Sequence, residues 1–181
     1  MSERQENNMK TIIIYGSEYG TTERYAKEFS KTTSIPAQSY KEMSDLSGYD
    51  RVIHFGGLYA GGVKGLKNTV KAVKDGTRLV IVTVGLADVT DKANTDSIKK
   101  SIERQVPEKM LADASVFHLR GGIDYSKLNF AHKTMMTLLY KAVRNKPEEE
   151  KTAEDRAMIE SFNKKVDFVD LEALKEIEAA L

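Results

Sequence analysis

Cysteine is absent from the 181 residues, which excludes disulfides, thiolate nucleophiles and iron–sulfur clusters and fits a reducing compartment. Histidine is scarce. His54, His118 and His132 stand far apart with no metal-ligand spacing, so a zinc site is not expected. A charge excess of either sign is missing too. The 28 basic and 27 acidic residues leave a net charge of +1, whereas a dedicated nucleic-acid binder carries a strong basic excess. No nucleic-acid partner is expected. No run of about 18 apolar residues occurs that could span a membrane. The polar start MSERQENNMK holds no apolar stretch of signal-peptide length, so the expected address is the cytoplasm. Three motifs are also lacking. The Gly57 to Gly62 spacing of a Walker loop is followed by Val63-Lys64 rather than Lys-Ser/Thr, and neither a G-x-G-x-x-G fingerprint nor a G-x-S-x-G nucleophile elbow occurs.

What is present has the length of one domain, and 40% apolar residues suffice for a sizeable core. Residues 1–9 read as a polar tail and 10–181 as a single domain. Thr11-Ile12-Ile13-Ile14-Tyr15-Gly16 is a continuous β-branched run, as expected of a strand buried on both faces. Tyr25, Ala26 and Phe29 then recur at helical spacing. Further strands are expected at Ala37–Tyr40, Arg51–Phe55, Leu79–Val84 and Ala114–Leu119. Between them, Val63, Leu66, Val70 and Val73 mark one helix, and a charged helix runs from about Thr95 to Arg104. Apolar strands alternating with helices point to an α/β fold with a parallel sheet covered on both faces. Ligands of such sheets bind outside the carboxyl ends of the strands. Three of those ends carry glycine-rich or small polar loops: Ser17–Thr22, Gly56–Gly62 and Gly85–Asp88.

The first loop, Ser17-Glu18-Tyr19-Gly20-Thr21-Thr22, joins a strand to a helix. The first-turn N–H groups of a helix lack internal partners and the helix dipole makes that end partly positive, so a phosphate suits it. Gly20 permits a tight turn, and Ser17, Thr21 and Thr22 add hydroxyl donors. No lysine or arginine lies inside the loop, so neutral donors are expected to hold the anion. A Ser/Thr/Gly loop ahead of a helix also serves simply as a cap and turn.

The loop resembles the phosphate loop of flavodoxins, [TS]-x-[TS]-G-x-T: Ser17, Gly20 and Thr22 match, and Tyr19 stands where the pattern has Ser or Thr. Tyr49–Gly61, and Gly121-Gly122-Ile123-Asp124-Tyr125 with the basic apolar helix after it, look especially like the flavodoxin-like, menaquinone-dependent protoporphyrinogen dehydrogenases. The resemblance implies a doubly wound sheet of five parallel strands in the order 2-1-3-4-5, an extra C-terminal helical segment, and flavin mononucleotide (FMN) as cofactor. It places Ser17, Glu18, Tyr19, Gly20, Thr21 and Thr22 around the phosphate. Gly57, Leu58, Tyr59, Ala60 and Gly61 would lie against the flavin, with Gly61 as the peptide that hydrogen-bonds the reduced ring. Val84, Gly85, Leu86, Ala87 and Asp88 would line its pyrimidine edge. Where many relatives have an aromatic, this chain has Ala60, with Tyr59 one residue earlier.

The resemblance implies an oxidoreductase or electron-transfer flavoprotein, with a redox protein, a porphyrinogen or a quinone as partner. Carrier flavodoxins are strongly acidic and this chain is near neutral, which favours the dehydrogenase type over a soluble carrier. A non-redox binding module of the same fold is the alternative from another class. Tyr59 could equally cover the sheet end, Asp88 could cap the next helix, and His54 and His118 read as hydrogen-bonded core histidines. The stretch Phe130–Lys146 combines a wide apolar face with Lys133, Lys141, Arg144 and Lys146. Completing the core, a dimer contact, and peripheral attachment to the inner face of a membrane are its three expected roles.

Overall fold

The computed structural model describes residues 9–59 and 61–181. Strand β1 (Thr11–Gly16) is central. On one side it pairs in parallel with β2 (Ala37–Ser39), and on the other with β3 (Arg51–Tyr59). Beyond β3 lie β5 (Arg78–Gly85) and β6 (Ser115–Arg120), again parallel, so the five parallel strands run β2-β1-β3-β5-β6 among the described residues. This is the expected flavodoxin-like order. Its numbering differs only because a short strand, β4 (Gly62–Val63), folds back antiparallel on the end of β3. Val63, expected on a helix, is therefore in a hairpin, and the helix begins at Leu66 instead.

The β-branched run of β1 explains the layering. Ile13 faces one side with Tyr25, Phe29, Leu174 and Ile177, while Ile12 and Ile14 face the other with Leu46, Leu66, Ile98 and Ile102. Helix α1 (Thr21–Thr33) covers the first face, and the C-terminal helix α7 (Leu174–Ala179) lies beside it. Helices α2 (Leu66–Ala72), α3 (Lys92–Glu103) and α4 (Glu108–Ala112) belong to the second. Gly16 aligns with Gly56, Gly57 with Val84, and Gly85 with Arg120. This register sets the loops after β1, β3 and β5 along one edge, at the switch point between β1 and β3.

The rest of the chain builds a third cluster over that edge. Strands β7 (Gly122–Asp124) and β8 (Lys165–Asp167) pair antiparallel. Helices α5 (Phe130–Arg144) and α6 (Ala153–Ser161) pack with them around Ile123, Tyr125, Leu128 and Met136. Tyr140 stacks on Phe162 with 3.9 Å between ring centroids. Among the described residues, no helix is long and apolar enough to cross a membrane.

Candidate functional site

Helix α1 opens at Gly20, whose φ of 90° is left-handed and suits glycine, and no side chain caps this end. Its first N–H groups therefore point out of the helix without a partner inside it. Ser17 holds the turn by accepting a hydrogen bond from the Gly20 N–H at 3.1 Å. Thr22 is 3% exposed, and a Cβ on Gly57 would come within 3.0 Å of its hydroxyl. Gly121 gives Thr21 the same clearance, and Gly85 makes room for Leu58. Backbone and threonine hydroxyls thus close in on a small cavity of about 60 Å³ bordered by Thr21, Thr22, Gly57, Val84, Gly85 and Gly121.

A lysine that the sequence does not place near the loop reaches it from the β4–α2 connection. The Lys64 ammonium contacts the Glu18 carboxylate and lies 4.8 Å from the centroid of the Tyr59 ring. Glu18 also faces His132 of α5, whose Nε2 is 3.1 Å from its other oxygen. Tyr19 packs edge-on against Tyr59 and His132, with centroids 6.3 and 5.9 Å apart. The Tyr19 hydroxyl is buried without a hydrogen-bond partner among the described residues, and burial pushes its pKa up to about 12. Tyr59 donates from its hydroxyl to the Met135 thioether at 3.4 Å.

Beyond these rings a larger cavity of about 540 Å³ opens between the second and third loops and the helices. Tyr19, Leu58, Tyr59, Gly61, Gly85, Leu86 and Ala87 line it, joined by Ser97, Ile98, Ser101 and Arg104 of α3. Met135, Met136, Leu139 and Val143 of α5 form another wall, and Met158 lies at the α6 side. Its volume falls within the roughly 300–1,000 Å³ of small-molecule sites. Gly61 sits at φ 74°, and its carbonyl accepts hydrogen bonds from Ser101 Oγ at 2.8 Å and Arg104 Nη2 at 3.4 Å.

Most of the expected residues therefore converge. Glu18, Tyr19, Thr21, Thr22, Gly57, Leu58, Tyr59, Gly61 and Val84–Ala87 border one or other cavity, and Ser17 and Gly20 shape the turn. Ala60 lies outside the described residues. Asp88 is exposed and borders neither cavity; its carboxylate accepts from the Thr90 N–H and hydroxyl at 2.8 Å. The cap of α3 is Asp91 instead, accepting from Ala93 and Asn94. Lys64, Ser101, Arg104, His132 and the methionines are the contributors that sequence reading missed. They come from helices and a connection whose periodicity marks a face but not what that face meets.

His54 is the expected core histidine: it is fully buried, with Nδ1 2.9 Å from the Thr69 hydroxyl and Nε2 3.0 Å from the Lys64 carbonyl. Burial lowers its pKa from the ordinary 6.5 to about 4. His118 is only half-buried, its Nδ1 2.7 Å from the Thr83 hydroxyl, and burial lowers its pKa too.

A family model for the flavodoxin domain matches residues 12–151. The comparison with curated proteins gives no match. Among solved structures, a flavoprotein in complex with FMN from Lactobacillus acidophilus NCFM is 11% identical, with a TM-score of 0.43, covering 62% of this chain and 92% of its own. An FMN-dependent NADH-azoreductase from Bacillus anthracis str. Ames Ancestor, in complex with FMN, is 11% identical, with a TM-score of 0.44 and coverage of 67% and 90%. Oxidised flavodoxin 1 from Bacillus cereus is 12% identical, with a TM-score of 0.39 and coverage of 61% and 84%.

Proposed function

This chain belongs to the flavodoxin domain family, and on that premise we propose that it is a flavoprotein that binds FMN noncovalently and serves electron transfer. The observation that carries the reading is the convergence of the loop after β1, the end of β3 with Gly61, and the loop after β5 on adjoining cavities beside an uncapped helix N-terminus. The residues present fit the cofactor. Thr21, Thr22 and the first N–H groups of α1 would hold the phosphate. Leu58, Tyr59, Gly61 and Gly85–Ala87 would hold the ring, and the buried, unpartnered hydroxyl of Tyr19 offers a polar contact beside it. FMN, when bound, supplies the redox chemistry; the chain's part is to orient it, exclude water and fix the charges around it.

The finer reading is a dehydrogenase of the protoporphyrinogen–quinone type rather than a soluble carrier. Its support is the extent of the larger cavity, which continues past the three loops to Met135, Met136, Leu139, Val143 and Met158. A chamber with this thioether and aliphatic wall, bordered also by Ser97, Ser101, Arg104, Glu154 and Asp155, suits a second organic molecule next to the ring site, whereas a carrier needs only an accessible ring edge. The test has two stages. Purified protein is titrated with FMN and with riboflavin while the visible spectrum and flavin fluorescence are followed. One FMN per chain, bound well ahead of riboflavin, supports the cofactor; equal affinities refute it. Protoporphyrinogen oxidation with menaquinone as acceptor is then assayed, and failure with FMN firmly bound leaves a carrier.

A further inference from the structure

We infer that Lys64 is the cationic clamp for the anion held by the Ser17–Thr22 loop, and that Glu18 is its partner until that anion arrives. The inference rests on the proposed binding of FMN and adds a residue and an exchange of partners to it. Its first ground is the ion pair itself. The side chains of Lys64 and Glu18 are 16% and 19% exposed, so each would be costly to leave uncompensated. Both residues border the small cavity that Thr21 and Thr22 also line, so the pair stands beside the expected anion site.

The second ground is how firmly the Lys64 backbone is held. Its N–H donates to the Gly57 carbonyl at 3.0 Å, and its own carbonyl is 3.0 Å from His54 Nε2. With His54 neutral, Nε2–H donates to that carbonyl and Nδ1 accepts from Thr69. A Cβ on Gly16 would come within 2.1 Å of the same carbonyl oxygen, so only glycine at the end of β1 admits this approach. The lysine is therefore presented from a fixed backbone at the start of the phosphate loop.

The third ground is charge. A phosphomonoester carries roughly −1.5 to −2 at neutral pH, and a carboxylate inside its loop repels it unless offset. Glu18 meets Lys64 through one oxygen and His132 through the other. When phosphate enters, the ammonium can pass from carboxylate to phosphate, replacing one charge-assisted contact with another, while Glu18 keeps His132. The desolvation of Lys64 has then already been met in the ligand-free protein.

The experiment is fluorescence titration of the full chain with FMN and with riboflavin, at low and high salt, for four proteins. Relative to the parent, Lys64→Met is expected to weaken FMN by about tenfold or more, to leave riboflavin within about twofold, and to flatten the salt dependence of FMN binding. Lys64→Arg is expected to retain most of the preference for FMN. Glu18→Gln is expected to bind FMN at least as tightly as the parent. Equal losses for FMN and riboflavin in Lys64→Met, or no loss, overturn the inference, as does weaker FMN binding by Glu18→Gln. If Lys64→Met does not fold, by circular dichroism, Lys64→Gln is titrated in its place with the same expected and overturning results. A parent protein that binds neither flavin removes the proposed function; a parent that prefers FMN, with Lys64→Met unaffected, removes only the clamp.

Discussion

His54 is a basic group in an apolar strand, and its pH behaviour follows from that setting. Its folded pKa of about 4 lies below the ordinary 6.5, so between these values the unfolded chain binds the extra proton. Its contribution is whole above pH 6.5 and is lost as pH falls from there to about 4. Urea unfolding should show a stability loss of about 2–3 kcal/mol over that window, and the loss should be absent from His54→Asn. An equal slope in the variant would move the effect to other groups. Thr22 makes a second case. Its hydroxyl is buried in the wall of the small cavity, so Thr22→Ala should weaken FMN by about 1–3 kcal/mol without changing riboflavin affinity. Ser17→Ala should act indirectly, by releasing the Gly20 N–H and loosening the turn. Gly61 combines positive φ with a carbonyl tied to Ser101 and Arg104. A valine there would be strained by about 1–3 kcal/mol and would reorient the peptide. Potentiometric titration of FMN-loaded Gly61→Val should show a shifted potential with FMN still bound; an unshifted one would place this peptide away from the ring.

At the scale of elements, α5 has two faces with different duties. Met136 and Val143 are buried, and Met135 and Leu139 line the larger cavity, so one face completes the molecule as the core reading expects. The other keeps Phe130 86% and Leu138 63% exposed. Lys133, Lys141 and Arg144 are exposed as well, whereas Lys146 is engaged by Asp155 at 2.8 Å. This face supports the proposal of peripheral contact with an anionic bilayer, where each basic residue contributes about 1 kcal/mol. Three such residues with two apolar side chains give weak, salt-sensitive attachment. Sedimentation with anionic liposomes at low salt, release at high salt, and loss in the Phe130→Ser/Leu138→Ser double variant are the expected results. No sedimentation of the parent protein would return this face to solvent.

For the molecule as a whole, helix α7 ties the end of the chain into the main core. Leu174 and Ile177 are 4% and 1% exposed, inside the cluster of Ile13, Tyr25, Phe29 and Ile53. Burying two such side chains is worth about 3–6 kcal/mol, a large part of the 5–15 kcal/mol that holds a typical domain. If residues 10–181 form one domain, as proposed, a chain ending at residue 173 should lose that much in urea unfolding. The full chain should unfold in a single transition, and two separate transitions would contradict the proposal.

The local alphabet made the sheet and the loops legible. Three isoleucines in a row are stable only where both faces of a strand are covered, so β1, β3 and β5 could be read directly, but β3 continues through Gly56–Tyr59, where the glycines suggest a loop. Strand β2 is expected at Ala37–Tyr40 and found at Ala37–Ser39, whereas the β7–β8 pair carries too few apolar residues for a clear period and the fold-back at Gly62–Val63 left no signature against a helical background. The site divides the same way. Ser17, Gly20 and Thr22 are adjacent in sequence, and their chemistry follows from adjacency to a helix N-terminus. Lys64 meets Glu18 across 46 residues, and His132 meets it from a helix that sequence marks only as basic and apolar. Those pairings depend on register, on a glycine that lets one backbone pass another, and on which face of α5 lies down. Local propensity therefore determined the strands, the turn and the phosphate loop, while packing between distant segments alone decided which charges surround it.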